Sequence, residues 1–172
     1  MTAVYFEKLN EDVKVPFYAS AGDAGMDVCA DEDVIIAPGE TALVKTGLKL
    51  AIPEGYEVQV RPRSGLSLKT PLRLCNAPGT IDSGYRGELC IILQNTSKDY
   101  QWVNDQIARM RDIPENHHSL REKWTSGYCD IHKGDRIAQM VLCRVEKADL
   151  QPVDSVENIG TDRGGGFGHS GV

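Results

Sequence analysis

The segment Tyr56-Glu57-Val58-Gln59-Val60-Arg61 alternates apolar and polar residues, which is the pattern of a β-strand with one buried face. Two longer runs, Leu89 to Leu93 and Ile137 to Val145, are rich in aliphatic residues and are predicted as strands, the first of them buried on both faces. Leu43-Val44 and Leu48 to Ile52 are shorter strand candidates. Short strands separated by Gly and Pro predict an all-β fold, namely a sandwich, jelly roll or barrel.

The composition of the 172 residues is typical of a globular protein, with 41% hydrophobic and 26% charged residues, and the length predicts one domain over 1–172. Lys and Arg number 19 against 25 Asp and Glu. The resulting formal net charge of −6 disfavours nucleic-acid binding and attachment to a membrane surface. The sequence has no run near the ~20 apolar residues of a membrane span and no N-terminal signal peptide. We therefore expect a cytoplasmic chain.

Residues 98–130 break the strand pattern and are predicted to form a partly helical insertion between two core strands. Within it, Val103, Ile107 and Met110 have helical spacing, and Pro114 ends the run. Both tryptophans of the chain also lie in this segment. Two interpretations stay open: these apolar residues pack on their own subunit, or they form a surface that binds a protein regulator.

Residues 160–172 are predicted to form a flexible C-terminal arm, because six of these thirteen residues are glycine. Gly166 to Gly171 matches G-x-G-x-x-G, but the dinucleotide fingerprint must follow a strand and open a helix, which this stretch does not. Arg163, the bare glycine N–H groups and the ring of Phe167 suit the phosphates and base of a nucleotide. A C-terminus without a function is the alternative.

The five cysteines are an odd number with no CxxC pair, which disfavours a disulfide framework in a chain without a secretion signal. Cys90 lies inside a predicted strand and is interpreted as a core residue. Cys129-x-x-His132 is the nearest approach to a zinc half-site, but it lacks a second ligand pair with suitable spacing.

Two polar segments carry side chains suited to binding or catalysis. Arg61 to Ser67 offers two guanidinium groups, hydroxyls and a glycine, and is either a phosphate site or a solvated turn. The segment 76–87 offers the amide of Asn76, the carboxylate of Asp82 and the ring of Tyr85. An aspartate in such a loop is, taken alone, more often a turn-former.

Taken together, these segments resemble the motifs of the trimeric deoxyuridine triphosphatase (dUTPase) family. Five motifs occur in the family's order: 21–27, 61–66, 79–87, 133–139 and the arm at 160–172. The fourth contains Gly-Asp-Arg-Ile-Ala-Gln, which matches the family pattern almost letter for letter. The arm departs from the pattern in having one residue fewer between Arg163 and Phe167 and in having His169 where the family has a small hydroxyl residue.

The resemblance implies a jelly-roll subunit of a homotrimer that hydrolyses dUTP to dUMP and pyrophosphate with Mg²⁺, which limits uracil incorporation into DNA and supplies dUMP for thymidylate synthesis. Asp82 is the implied general base for a water that attacks the α-phosphorus. Asp27 is the implied magnesium ligand, through water. The implied substrate-binding residues are Arg63, Ser64, Gly65, Asn76, Gly79, Ile81, Tyr85, Gln139, Arg163, Phe167, Gly168 and Ser170.

The resemblance also implies active sites that are shared between subunits. Motifs one, two and four would come from one chain, motif three from a second and the arm from a third. The insertion is similar in position to extra segments in dUTPases of bacteriophages of Gram-positive bacteria, and a phage-encoded chain would act in the host cytoplasm. A deoxycytidine triphosphate deaminase of the same superfamily is the alternative enzyme, and it would need Glu88 as its catalytic carboxylate.

Overall fold

A computed structural model describes residues 2–97 and 127–162 of the chain. In these ranges it contains ten strands and one short helix: β1 (Tyr5–Lys8), β2 (Met26–Cys29), β3 (Val34–Ile36), β4 (Thr41–Ala51), β5 (Tyr56–Arg61), α1 (Ser64–Lys69), β6 (Leu72–Leu74), β7 (Gly79–Ile81), β8 (Glu88–Asn95), β9 (Cys129–Ile131) and β10 (Arg136–Arg144). The predicted all-β fold class is confirmed. The helical run predicted from Asp99 to Ile113 and the arm residues from Arg163 onward lie outside the described ranges.

The strands form two four-stranded antiparallel sheets, with the orders β1-β4-β8-β6 and β2-β10-β5-β7, and a two-stranded sheet of β3 and β9. Their inner faces share one hydrophobic core, to which all three sheets contribute buried aliphatic side chains. Two sheets packed face to face in this way correspond to the jelly-roll prediction. No helix in the described ranges is both long and apolar enough to cross a membrane.

The hydrophobic pattern of the sequence correctly predicts the central strands β5, β8 and β10. In β5, Val58 and Val60 are buried whereas Gln59 between them is only half-buried, as the alternation predicts. The prediction that the strand around Leu89 to Leu93 is buried on both faces is wrong. In β8 every second side chain is buried, and the side chains between them, including Cys90, are half-buried because that face is not fully covered.

The two short strands predicted on either side of Gly47 are one continuous strand, β4. Its pairing with β8 shifts between Lys45 and Leu48, which marks a β-bulge. Gly47 lies in this bulge with φ of 68°, a backbone conformation that favours glycine. The N–H of Gly47 donates a hydrogen bond of 2.9 Å to Oε1 of Glu88 on the neighbouring strand.

A network of charged side chains fixes the turn that leads into β10. The carboxylate of Asp31, whose side chain is 12% exposed, lies 3.0 Å from Nζ of Lys133 and accepts a hydrogen bond of 2.5 Å from Asn10. The backbone N–H of Lys133 donates to Asp33 at 2.7 Å. Burial opposes ionisation of Asp31, but the hydrogen bonds from Asn10 and Lys133 and the nearby positive charges outweigh it, so that the pKa of Asp31 lies below its ordinary value.

We expect Asp31→Asn to lower the melting temperature at pH 7, because it removes charge-assisted hydrogen bonds that are each worth about 1.5–3 kcal/mol. A carboxyl whose folded pKa is lowered stabilises the protein above its unfolded pKa, and this contribution is lost as the pH falls through the folded pKa. The gap between wild type and variant should therefore begin to narrow below about pH 4 and narrow further as the pH continues to fall. Thermal melts across this range, with Asp130→Asn as an exposed control, check the expectation. A gap that stays constant or widens as the pH falls below about 4 contradicts it.

Candidate active site

Side chains from motifs one, two and four line a single cleft of about 380 Å³. The lining residues are Ala19, Asp23, Ala24, Gly25, Asp27, Arg63, Ser64, Gly65, Arg136 and Gln139. The structure thus brings together Asp27, Arg63, Ser64, Gly65 and Gln139, which the resemblance to the dUTPase family predicts as site residues.

Strand pairing explains why these motifs meet although they are far apart in the sequence. Strand β10 carries motif four and lies between β2, which carries the end of motif one, and β5, which leads into motif two. Gln139 is paired with Asp27 on one side and with Arg61 on the other. Because paired residues in antiparallel strands point to the same face, the side chains of all three motifs emerge together.

The carboxylate of Asp27 is held by two guanidinium groups. Nε of Arg63 lies 2.7 Å from Oδ1 of Asp27, and Nη1 of Arg136 lies 2.9 Å from Oδ2. The side chain of Asp27 is 14% exposed, that of Arg63 is 24% exposed and that of Arg136 is 50% exposed. The remaining N–H groups of two arginines beside a cleft are suited to bind an anion such as a phosphate.

The other cleft residues are positioned by the backbone around them. Nε2 of Gln139 donates to the carbonyl of Pro62 at 2.9 Å, which ties motif four to motif two. A β-carbon at Gly25 would lie 2.5 Å from Oε1 of Gln139, so a larger residue at this position would shift the Gln139 side chain from its present position. Ser64 and Gly65 begin α1 and are exposed, with their hydroxyl and backbone groups accessible from the cleft.

Motif three lies elsewhere in the chain. Asn76, Gly79, Ile81, Asp82 and Tyr85 are not among the residues that line the cleft. Gly79 and Ile81 are the ends of β7, where Gly79 is buried and Ile81 half-buried. Asn76 is exposed before this strand and Asp82 is exposed directly after it.

The register of β7 separates Asp82 from the cleft. Ile81 is paired with Val58, and Val58 precedes Arg63 by five residues along β5 and its extension. At ~3.3 Å per residue, this places Asp82 on the order of 15 Å from Arg63. One chain therefore holds the predicted general base and the predicted phosphate-binding residues apart.

The ring of Tyr85 is held in place, although it is half exposed. Its hydroxyl donates to the carbonyl of Glu88 at 2.9 Å, and its ring lies against Gly87.

The side chain of Glu88, which the deaminase alternative requires for catalysis, instead accepts a hydrogen bond from the N–H of Gly47 in the bulge of β4. This hydrogen bond joins β8 to the bulge of β4, so Glu88 has a structural role in the fold.

The charges in the cleft are balanced within one chain. Arg63 and Arg136 face Asp23 and Asp27, so a bound polyphosphate needs further positive charge. The described residues contain no group of three or more His, Cys, Asp or Glu side chains that could hold a metal ion. Both oxygens of Asp27 are engaged by guanidinium groups, so a direct bond from Asp27 to Mg²⁺ would have to displace one of these contacts.

Comparison with known proteins agrees with the motifs. A dUTPase family model matches residues 11–126 and 124–171. The chain belongs to the dUTPase family. The deoxyuridine 5'-triphosphate nucleotidohydrolase of Hydrogenobaculum sp. is 42% identical over 168 residues, which covers 96% of this chain and 96% of that protein.

Two similar structures come from bacteriophages. The dUTPase of Staphylococcus bacteriophage 80alpha with dUPNHPP has a TM-score of 0.79 and 31% identity, and the match covers 100% of both chains. A mutant dUTPase of phage phi11 of S. aureus, solved with a structural Mg(II) ion, has a TM-score of 0.72 and 27% identity, and the match covers 91% of this chain and 99% of that chain.

Sequence reasoning missed the role of Arg136 in the cleft. Arg136 belongs to the fourth motif, but the sequence pattern alone indicates no function for it. Its contact with Asp27 depends on how β10 pairs with β2, which the local pattern does not reveal.

The sequence pattern does not predict the short helix α1 either, because the segment after Arg63 contains Ser and Gly, which are typical of turns.

Proposed function

We propose that this chain hydrolyses dUTP to dUMP and pyrophosphate. Membership of the dUTPase family supports the reaction, and the convergence of motifs one, two and four on one cleft is the observation that carries it. The product dUMP supplies thymidylate synthesis, and removal of dUTP limits the incorporation of uracil into DNA. The match of the family model to both 11–126 and 124–171 supports a single catalytic domain over 1–172.

In this mechanism Asp82 accepts a proton from the water that attacks the α-phosphorus in line with the leaving pyrophosphate. Arg63, Ser64 and Gln139 hold phosphate oxygens, with backbone help from Gly65, and stabilise the charge that develops on the leaving group. Their common position in the cleft supports these roles.

The base and sugar would be bound by motif three. Asn76, with the backbone around Gly79 and Ile81, hydrogen-bonds the uracil edge, and Tyr85 packs on the deoxyribose. The hydroxyl bond of Tyr85 to Glu88 supports this role, because a fixed ring can exclude a 2′-hydroxyl group. The arm residues lie outside the described ranges, and their proposed roles rest on the resemblance alone: Arg163 binds the γ-phosphate, Phe167 covers the base, and Gly168 and Ser170 contact the substrate.

Mg²⁺ is the proposed cofactor, with Asp27 as its indirect ligand. The ion, when bound, neutralises phosphate charge and is coordinated largely by substrate oxygens and water. Two observations support it: the balanced charges of the cleft, and the structural Mg(II) ion of the phage phi11 relative.

A homotrimer with shared sites is the proposed assembly. The separation of Asp82 from Arg63 supports it, because one chain does not complete the site. The segment 145–162 supports it as well. It contains no strand or helix among its described residues and exposes five large apolar side chains, Val145, Leu150, Val153, Val156 and Ile159. Such side chains are suited to pack against a neighbouring subunit.

Residues 98–130 are the proposed insertion and 160–172 the proposed mobile arm. The last two residues of this insertion, Cys129 and Asp130, already belong to β9. A protein regulator that contacts the insertion is a further proposal. It is supported by the similarity to the dUTPase of phage 80alpha, which controls transfer of virulence genes.

A nucleotide panel assayed for pyrophosphate release with Mg²⁺ tests the function. We expect dUTP to be hydrolysed faster than dTTP, dCTP and UTP. The 5-methyl and 2′-hydroxyl groups would clash in the pocket, and cytosine would leave buried polar groups unpaired, which typically costs on the order of 10²-fold or more. Comparable turnover of UTP and dUTP would contradict the role of Tyr85. Release of ammonia from dCTP would favour the deaminase alternative.

A further inference from the structure

Arg136 points into the cleft, although regular strand alternation would turn it into the core. Ala138 and Met140 are buried on the inner face of β10, and Arg136 lies two residues before Ala138. The pairing of β10 with β2 shifts between Arg136 and Ala138, which marks a β-bulge around Ile137. As a result Ile137 and Ala138 are both buried, and Arg136 lies on the outer face.

The bulge gives Arg136 the same orientation as Gln139. Arg136 is paired with Cys29 and Gln139 with Asp27, and these two partners lie two residues apart on β2. Residues separated by two along a strand share a face of the sheet. Bulges near active sites commonly redirect a side chain in this way.

Three contacts then close a ring across the motifs. Arg136 contacts Oδ2 of Asp27 at 2.9 Å, and Arg63 contacts Oδ1 at 2.7 Å. Nη1 of Arg63 donates to the backbone carbonyl of Arg136 at 3.1 Å. Asp27 therefore cannot turn without breaking a contact to one of the arginines, and Arg63 is fixed at both ends of its guanidinium group.

We propose that Arg136 is a positioning residue: it holds the carboxylate of Asp27, and through it the guanidinium of Arg63, in the orientation that stabilises the charge developing on the leaving pyrophosphate. This inference rests on the proposed dUTP hydrolysis. The half-exposed side chain of Arg136 contributes little to folding, since exposed ion pairs are weak. Its effect on geometry is larger, because a misplacement of 1 Å near a reacting group can lower the rate about 10²-fold.

We expect Arg136→Met to lower kcat for dUTP on the order of 10²-fold while the melting temperature stays close to that of the wild type. KM should change less than kcat, because the uracil contacts of motif three are retained. Arg136→Lys should recover part of the loss, since an ammonium can pair with Asp27 but lacks the planar guanidinium group. Loss of melting temperature with unchanged kcat per folded protein overturns the inference.

A double-mutant cycle with Asp27→Asn separates positioning from direct phosphate binding. If Arg136 acts through Asp27, Arg136→Met should add little to the loss already caused by Asp27→Asn. Losses in kcat that multiply in the double variant would mean that Arg136 acts independently of Asp27, and would overturn the inference.

Arg144→Met is the matched control. Arg144 lies at the other end of the same strand, is exposed, and has its guanidinium 5.9 Å from the centre of the Tyr56 ring. A similar loss of kcat in this control would show a general effect on β10 and would also overturn the inference. Wild-type turnover of dUTP is measured first: its absence contradicts the proposed function, whereas its presence with an unimpaired Arg136→Met variant contradicts this inference alone.

Discussion

Asp82→Asn is expected to reduce the turnover of dUTP by about 10²–10⁴-fold, the usual contribution of a general base. An amide cannot accept the proton of the attacking water, but it has nearly the same shape as the carboxylate. Asp82 is exposed directly after β7, so the substitution should leave the fold intact. Single-turnover measurements of dUMP formation check the rate, and calorimetric binding of the analogue dUPNHPP checks the site.

The matched control is Glu54→Gln, an exposed carboxylate outside the five motifs and outside the segment 145–162. It should retain wild-type turnover. If Asp82→Asn stays within about threefold of the wild type, Asp82 is not a general base, since such a base contributes at least about 10²-fold. If turnover and analogue binding fall together, Asp82 acts in binding and the proposed mechanism is wrong.

Much of the fold follows from patterns that operate within one segment. The alternation around Val58 and the aliphatic runs of β8 and β10 predict strands, because a sheet with one covered face needs an apolar side chain at every second position. The β-bulges in β4 and β10 could not be predicted from the pattern within one segment. Each depends on the partner strand, and only the glycine at position 47 gave a local signal for one of them.

The candidate site shows the same limit. The motif sequences were sufficient to propose Arg63, Gln139 and Asp27 as site residues, and the structure places all three beside the same cleft. The contacts among them were not predictable. Asp27 contacts Arg136 only because β2 pairs with β10, and these two residues are 109 positions apart in the sequence. From the sequence alone, an arginine at the start of a strand is equally consistent with a side chain that extends into solvent.

The proposed sharing of active sites between the subunits of a homotrimer predicts that two inactive variants restore activity when they are mixed. In Asp82→Asn the phosphate cleft is intact, and in Arg63→Met the general base is intact. Each homotrimer should be nearly inactive. After unfolding and joint refolding of equal amounts, about a quarter of the sites in randomly assorted cyclic trimers should combine an intact Arg63 from one chain with an intact Asp82 from its neighbour. Activity is measured by pyrophosphate release from dUTP.

The geometry of the single chain makes this outcome specific. Asp82 follows the end of β7 that pairs with Val58, whereas Arg63 lies beyond the opposite end of β5. A site within one chain would need both groups from the same polypeptide, and no mixture of the two variants could then supply them together. Mass spectrometry of the mixed trimers verifies that the chains have exchanged, and Gln139→Ala replaces Arg63→Met if the latter does not assemble. A mixture that exchanges fully but never exceeds the sum of its two parents would show that each subunit works alone, and the proposed assembly would be wrong.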